Sequence, residues 1–395
     1  MYNTLKGKSF GGKMKKIFIS VGEISGDNYA SQLIKLLPQY RWTGITGPKM
    51  RQAGCETVQR LEDISVVGIM EAIPKYLQIR KSFKKAVEEL ERGVDLLVVV
   101  DFPGFNLKLL EEAKKRGIKT VYFIAPQVWA WGKGRIPKIA KNTDILISIW
   151  PFEKDVYRDY LDQLRFEFVG HPLLDIVKTT KTESEIKAIL SIPEEKKLFG
   201  FFPGSRESEV KTLLPLMLKA GEILIKEMRE LHFVIPATPN VEKLIKDEIS
   251  KHKLPVSIIT EKDTQNPSYE VMKHSIFSVI ASGTATLEAS IIGNPFILVY
   301  KVSPITFFIG RMLVSIDYLG LPNIIAGREV IKELLQKDCS PEKIASESMK
   351  YLKDKKLYEE TKDKLTAVRS ALGEKGALKK TAQIIKDYLE SVSGK

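Results

Sequence analysis

Short, nearly continuous apolar runs recur along the chain, each followed by a turn and then by a stretch with apolar residues at helical spacing. The first half carries IFISVG, VDLLVVVDFPGF, IKTVYFIAP, DILISIW and FEFVGHP; the second carries KLFGFFPGS, LHFVIPA, VSIITEK, FSVIASG and PFILVYKV. A strand that is apolar at every position has no face to offer water. It must be covered on both sides, as in a parallel sheet flanked by helices. The pattern predicts an α/β protein of two Rossmann-like domains facing a central cleft, with ligand sites just beyond the carboxyl ends of the strands.

The rhythm breaks at TTKTESE, where Thr182 and Glu185 fit a capping box, so the linker is expected near residues 173 to 182. The expected divisions are an N-terminal extension (1–13), a first Rossmann-like domain (14–175), a second (176–345) and a charged helical tail (346–395). The tail has no strand pattern and is either a solvated cap or a segment packing back across the domains.

A chain of 395 residues with 44% apolar residues is long enough for two cores. Its net charge of +13 favours anionic partners: nucleic acid, an anionic membrane surface or phosphorylated small molecules. The two cysteines and four histidines show no metal-ligand spacing, so no metal and no cofactor are expected, and a reducing, cytosolic setting is the simplest reading. Residues 1–13 lack the apolar core of a signal peptide, and Met14 reads as a natural start. The apolar region Pro295 to Leu321 is interrupted by Lys301, Pro304 and Arg311 and fails as a membrane span.

The stretch Phe277 to Val302 reads as strand, tight turn, helix, strand. Small residues at Ser282 and Gly283 let backbone amides approach a ligand, and the helix beginning near Thr284 directs its unpaired N–H groups to the same spot, which suits a diphosphate. Glu288, one helical turn on, could accept hydrogen bonds from ribose hydroxyls; an ordinary βα turn with a surface glutamate has the same pattern. Gly204, Ser205 and Arg206 form a second anion-friendly turn, because guanidinium binds phosphate oxygens in forked geometry. Asp101 closes the apolar run Val94 to Val100, where partial burial would make it a stronger base; a turn cap is the alternative.

The loop Gly22 to Asp27 (GEISGD) carries Glu23, Ser25 and Asp27 but is not a dinucleotide fingerprint, and capping also explains Ser25 and Asp27. Trp129, Trp131, Lys133 and Arg135 in APQVWAWGKGR fit a phosphorylated, partly apolar ligand, nucleic acid, or core tryptophans beside a basic turn. His171 has no nearby metal-binding partner in sequence and reads as a hydrogen-bonded cleft or hinge histidine. In the segment Ile64 to Glu91, Tyr76, Ile79, Phe83, Val87 and Leu90 form a core stripe. Ile69, Met70, Ile73 and Leu77 fall partly outside it, beside Lys75, Arg80, Lys81, Lys84 and Lys85, which is either more core or a peripheral membrane contact.

GEISGD, DFPGFN, APQVWAW, PFEK, GHPLLD, PGSRESEV, ASGTATLE and DYLGLPNIIAGRE, followed by VIKELLQ, stand in one order over nearly the whole chain, and this ordered set resembles the lipid-A-disaccharide synthase family. The resemblance implies the glycosyltransferase B fold. It implies inverting transfer of the diacylated sugar of UDP-2,3-diacylglucosamine to the 6-hydroxyl of 2,3-diacylglucosamine 1-phosphate, without a metal. It puts the nucleotide in the second half, with Asn323 among the donor-side residues, the essential aspartate at Asp101, and Glu23, Ser25, Asp27, Trp129, Trp131 and Arg135 on the acceptor side. Gly104 stands where a common family form has a second acid, and Ile24 where a hydroxyl residue is frequent. Acylated substrates imply a cytoplasmic protein held peripherally on the inner face of the inner membrane through Ile69, Met70, Ile73, Leu77, Arg80 and Lys81, with no nucleic-acid partner. The competing readings are a UDP-sugar 2-epimerase or another sugar-nucleotide enzyme of the same fold, and a non-catalytic nucleic-acid or membrane-binding protein; the spread of the basic residues disfavours the last.

Overall fold

The computed structural model describes residues 14–64, 69–130, 132–303 and 317–391, without the side chains of 69–76. The N-terminal extension, Trp131 and the side chains of Ile69, Met70 and Ile73 therefore lie outside the described residues. The chain divides into two compact units, Met1–Pro172 with Gly376–Lys395, and Leu173–Lys375.

The first unit is built on a seven-stranded sheet in the order β3-β2-β1-β4-β5-β6-β7. The strands are β1 (Lys16–Val21), β2 (Arg41–Thr46), β3 (Glu56–Arg60), β4 (Leu96–Val100), β5 (Lys119–Phe123), β6 (Ile145–Ser148) and β7 (Arg165–Phe168). All neighbours are parallel. Every residue of β4 is fully buried, the direct result of its LLVVV sequence. Phe18, Leu97, Val99, Leu109, Tyr122 and Leu146 form part of the core around it.

The second unit repeats the plan with six parallel strands in the order β10-β9-β8-β11-β12-β13. They are β8 (Lys197–Phe202), β9 (Leu231–Pro236), β10 (Val256–Ile259), β11 (Phe277–Ala281), β12 (Phe296–Tyr300) and β13 (Glu333–Leu335). Phe199, Phe201, Phe233 and Phe277 meet in its core, with Phe201 and Phe233 stacked at 4.8 Å between ring centroids. The predicted capping box forms: the Thr182 hydroxyl accepts from the Glu185 amide and the Glu185 carboxylate accepts from the Thr182 amide.

Three strands lie outside the apolar runs read from the sequence. In β2, RWTGIT is broken by Thr43, Gly44 and Thr46, and β3 and β13 are edge strands with polar or charged positions. The helices Pro341–Lys353 and Lys355–Ala371 belong to the second unit, whereas the last helix, Ala377–Glu390, returns to the first and packs on the helix Ile24–Leu36. Lys119 Nζ donates to the Tyr388 carbonyl at 2.8 Å and sits 4.3 Å from the centre of that tyrosine ring. Lys15 Nζ donates to the Leu389 carbonyl.

Gly44 pairs with Ile19 across β1 and β2, and a Cβ there would lie 1.9 Å from the Ile19 carbonyl oxygen. Gly44→Ala is expected to destabilise the first unit by about 1–3 kcal/mol, since backbone must move to admit the methyl group. Urea unfolding is the measurement, and a midpoint equal to wild type would mean that the two strands part at no cost.

Candidate active site

In the first sheet the strand order reverses between β1 and β4, and in the second between β8 and β11. At such a point the connections leave toward opposite faces and open a crevice beyond the strand ends. Asp101 directly follows β4, and Glu23 lies just past β1. Gly204, Ser205 and Arg206 follow β8, while Ser282, Gly283 and Thr284 follow β11.

At the first reversal, Asp101 and Phe102 both have left-handed backbones, φ 47° and 54°. Two consecutive non-glycine residues in this region cost about 1–3 kcal/mol each. The turn throws the Asp101 side chain off the strand end into a largely protein-lined setting. That desolvation, reinforced by the nearby Glu23 charge and opposed by the Phe102 amide, pushes its pKa up to about 6. Gly22 is needed because a Cβ there would lie 2.1 Å from Phe102 Cγ. Glu23 and Ser25 are exposed beside the turn. Asp27 is not: it is buried, and its carboxylate accepts from the Lys49 and Met50 amides, both at 2.9 Å. From within the helix Ile24–Leu36 it caps a different helix, Pro48–Gln52, rather than the one that follows its own loop, and both carboxylate oxygens are taken up there instead of facing an acceptor.

Trp129 is half-buried, its ring edge-on to Phe152 at 5.1 Å, and Arg135 is also half-buried. The indole N–H donates to Glu153 Oε1 at 3.2 Å. Glu153 is buried, takes a second contact with Ser148 Oγ at 2.5 Å, and has its pKa pushed up to about 7 by burial. No role was read for it from the sequence; the PFEK motif was the available signal. His171 is buried against Trp150, 4.9 Å between ring centres, and burial pulls its pKa down to about 3, leaving a neutral imidazole.

The second reversal holds a cavity of about 340 Å³ wholly within the second unit. Gly204, Ser205, Arg206, Ser282, Gly283, Thr284 and Glu288 all line it. Gly283 has φ 151° and ψ −167°, a conformation essentially restricted to glycine, and it leads into the helix Thr284–Ile292, whose first amides have no partner within the helix. Gly204 has φ 104°, and a Cβ on it would lie 2.2 Å from Glu209 Oε2. Arg206 is exposed at the wall, with Nη1 3.2 Å from Glu209 Oε1. Glu288 keeps some exposed area, yet protein crowds its carboxyl and raises its pKa to about 7, and the Tyr269 hydroxyl donates to it at 3.2 Å.

Asn323 does not reach this cavity. It is 0% exposed, its amide donates to the Ile331 carbonyl and to Glu333 Oε1, and its oxygen accepts from the Val330 and Ile331 amides. With those four bonds the side chain is spent on folding its own loop, which corrects the expectation of a donor contact. Leu77 is 66% exposed, with Arg80, Lys81, Lys84 and Lys85 exposed near it on the helix Ile69–Glu91. Leu77 is therefore not core, whereas Phe83, Val87 and Leu90 of the predicted stripe pack inward. Among the described residues, no three His, Cys, Asp or Glu side chains are grouped to hold a metal, and no helix is long and apolar enough to cross a membrane.

Residues 17–387 match the family described as lipid-A-disaccharide synthetase. The chain is 68% identical over 375 residues to the lipid-A-disaccharide synthase of Persephonella marina, covering 95% of this chain and 99% of that one. It is 57% identical over 385 residues to the synthase of a Sulfurihydrogenibium species, with 95% and 99% covered. Among solved structures, it is similar to a UDP-GlcNAc 2-epimerase from Neisseria meningitidis bound to UDP-GlcNAc, with TM-score 0.61, 14% identity, and 95% and 100% of the two chains covered. At that identity the likeness concerns fold alone, the two-sheet arrangement of glycosyltransferase B proteins.

On the expectation from the sequence that a nucleoside diphosphate occupies this cavity, Gly204→Ala and Gly283→Ala should each weaken binding of uridine diphosphate by roughly 10-fold or more, because the added methyl group opens a turn that only glycine holds without strain. Titration calorimetry gives the answer. Wild-type affinity in both variants would show that these turns do not hold the phosphates.

Proposed function

The chain belongs to the lipid-A-disaccharide synthetase family, and from that premise we infer how its residues divide the work of an inverting hexosyl transfer. The enzyme makes the β-1,6-linked lipid A disaccharide 1-phosphate, with release of UDP. The donor is UDP-2,3-diacylglucosamine and the acceptor 2,3-diacylglucosamine 1-phosphate. The observation that carries the assignment of roles is Asp101: a carboxylate at a strand reversal, off its strand through a left-handed turn, with a pKa near 6.

In the transfer, the acceptor 6-hydroxyl oxygen bonds to the anomeric carbon of the donor as the bond from that carbon to the β-phosphate oxygen breaks. The hydroxyl proton passes to Asp101, and the electron pair leaves with UDP. A base of pKa near 6 is ionised at neutral pH, yet holds a proton better than a solvated aspartate. The charge growing on UDP is met by Arg206 and by the amides at Ser282 to Thr284. Glu288 receives the ribose hydroxyls one helical turn deeper; with its raised pKa, the carboxyl can also donate to them. Trp129 and Arg135 face the acceptor with Glu23 and Ser25.

Acylated substrates require the protein to meet a lipid surface, and Leu77 among exposed arginine and lysine residues supports contact with the anionic cytoplasmic face of the inner membrane. On this reading the protein is cytoplasmic and peripheral, with the first unit carrying the acceptor site and the second the donor site.

Asp101→Asn should keep its affinity for UDP and lose turnover by on the order of 10²-fold to 10⁴-fold. Turnover of the wild type should fall as pH drops through about 6, because only the ionised carboxylate accepts the proton. UDP release with and without the monosaccharide phosphate is the assay; full activity of Asp101→Asn would remove it from the mechanism. Arg206→Ala should weaken UDP binding and slow transfer together, and an unchanged dissociation constant would place that guanidinium outside the site.

For the lipid contact, Leu77→Ser with Arg80→Glu should release the protein from phosphatidylglycerol vesicles in a flotation assay while leaving UDP binding intact. Equal flotation of variant and wild type would exclude this surface.

A further inference from the structure

Asp101 is held by its peptide group as well as surrounded at its side chain. Its carbonyl oxygen accepts two side-chain donors, Asn106 Nδ2 at 2.7 Å and Tyr122 Oη at 2.9 Å, and its amide donates to the Ile124 carbonyl at 3.1 Å. Asn106 is fully buried in the first turn of the helix Pro103–Lys115. Its Nδ2 also lies 3.2 Å from the Val100 carbonyl, and its Oδ1 accepts from Ser20 Oγ at 2.6 Å. It therefore ties β1, β4 and the turn into one unit. Tyr122 lies one residue before the carboxyl end of β5, with its ring fully buried. Both lone pairs of one carbonyl are thus occupied where the chain takes two consecutive left-handed residues. Neither donor is required by helix or sheet.

We propose that Asn106 and Tyr122 are positioning residues for the transfer: by donating together to the Asp101 carbonyl they hold the end of β4 in its left-handed turn and aim the carboxyl at the acceptor hydroxyl. This rests on the reading of Asp101 as the base. Without the pair, the peptide relaxes to an ordinary conformation and the carboxyl swings toward water. The groups acting on that carboxyl are the Glu23 charge beyond β1 and the Phe102 amide, while the Tyr122 phenol, bonded to the Asp101 carbonyl, feels the charges of Asp101, Tyr157 and Arg135. Tyr122→Phe removes one donor without altering the shape of the core, and Asn106→Ala removes the other.

The experiment compares Tyr122→Phe, Asn106→Ala and Asp101→Asn by steady-state UDP release across pH, with UDP affinity and thermal unfolding measured alongside. Tyr122→Phe is expected to lower kcat on the order of fivefold and Asn106→Ala more, the first figure being about one neutral hydrogen bond converted to a rate. UDP affinity should be unchanged. The acid limb of the pH profile should move below its wild-type position near 6, toward the usual carboxylate range, as the carboxyl gains solvent.

A loss of activity that follows only the folded fraction, with the acid limb unmoved, would overturn the proposal and leave the pair as scaffold. Should Asn106→Ala not fold, Tyr122→Phe decides by the same criteria. Full turnover of Asp101→Asn would instead overturn the base itself, whereas an inactive Asp101→Asn beside a Tyr122→Phe with wild-type kcat and acid limb would overturn the positioning role alone.

Discussion

An open parallel sheet forms a crevice beyond the carboxyl ends of its strands where its strand order reverses, and each of the two sheets here reverses once. Strand-to-strand hydrogen bonding forces the chain ends at β1 and β4, and at β8 and β11, to lie side by side while their connections part. The side chains to which the proposed mechanism gives roles are therefore not scattered over a surface. Glu23 and Asp101 share one pair of strand ends, and Arg206 and Ser282 share the other. The apolar strands contribute by being rigid and dry, since a fully buried β4 gives the residue after it a fixed origin and a low-dielectric floor.

The two crevices solve opposite electrostatic problems. In the second unit, glycine-dependent turns and a helix start expose backbone N–H dipoles, with Arg206 at the wall, so the site favours negative charge. In the first, a carboxylate is kept among protein atoms and near another acid, so the site resists negative charge and favours taking up a proton. That contrast suits a displacement in which one end gains a proton as the other gains an anion. It also accounts for a strained turn placed at Asp101, where strain is balanced by the bonds around its peptide.

Much of this was legible in the sequence wherever one physical rule dominated. Continuous apolar runs marked the buried strands, and small residues before a helix marked the turns around the second-unit cavity. The strands β2, β3 and β13 were not legible: the first is interrupted by threonine and glycine, and the others, ETVQR and ELL, are short and mix polar or charged residues with few apolar ones. Asp27 and Asn323 show a different limit. Each is polar and lies in a distinctive motif, but each is consumed by backbone amides, Asp27 by residues 49 and 50 and Asn323 by residues 330 and 331. Sequence cannot distinguish an amide partner within the protein from a ligand. Glu153 and Tyr122 were missed for a related reason, because what singles them out is a bond to a residue distant along the chain: Trp129 for the one and Asp101 for the other.

The return of the helix Ala377–Glu390 to the first unit bears on how the protein is made. The helix Ile24–Leu36 leaves the ribosome before the whole second unit, and the segment that packs on it follows that unit. At roughly 5–20 residues per second, translating the intervening second unit takes on the order of 10–40 s. Throughout that interval the nascent first unit lacks the helix whose Leu378, Ile385 and Leu389 are buried in the finished protein. Arrival of this helix, rather than completion of the first sheet, is thus the event that closes the amino-terminal half, and a message cut short before Ala377 yields a protein whose defect lies far along the chain from the missing codons.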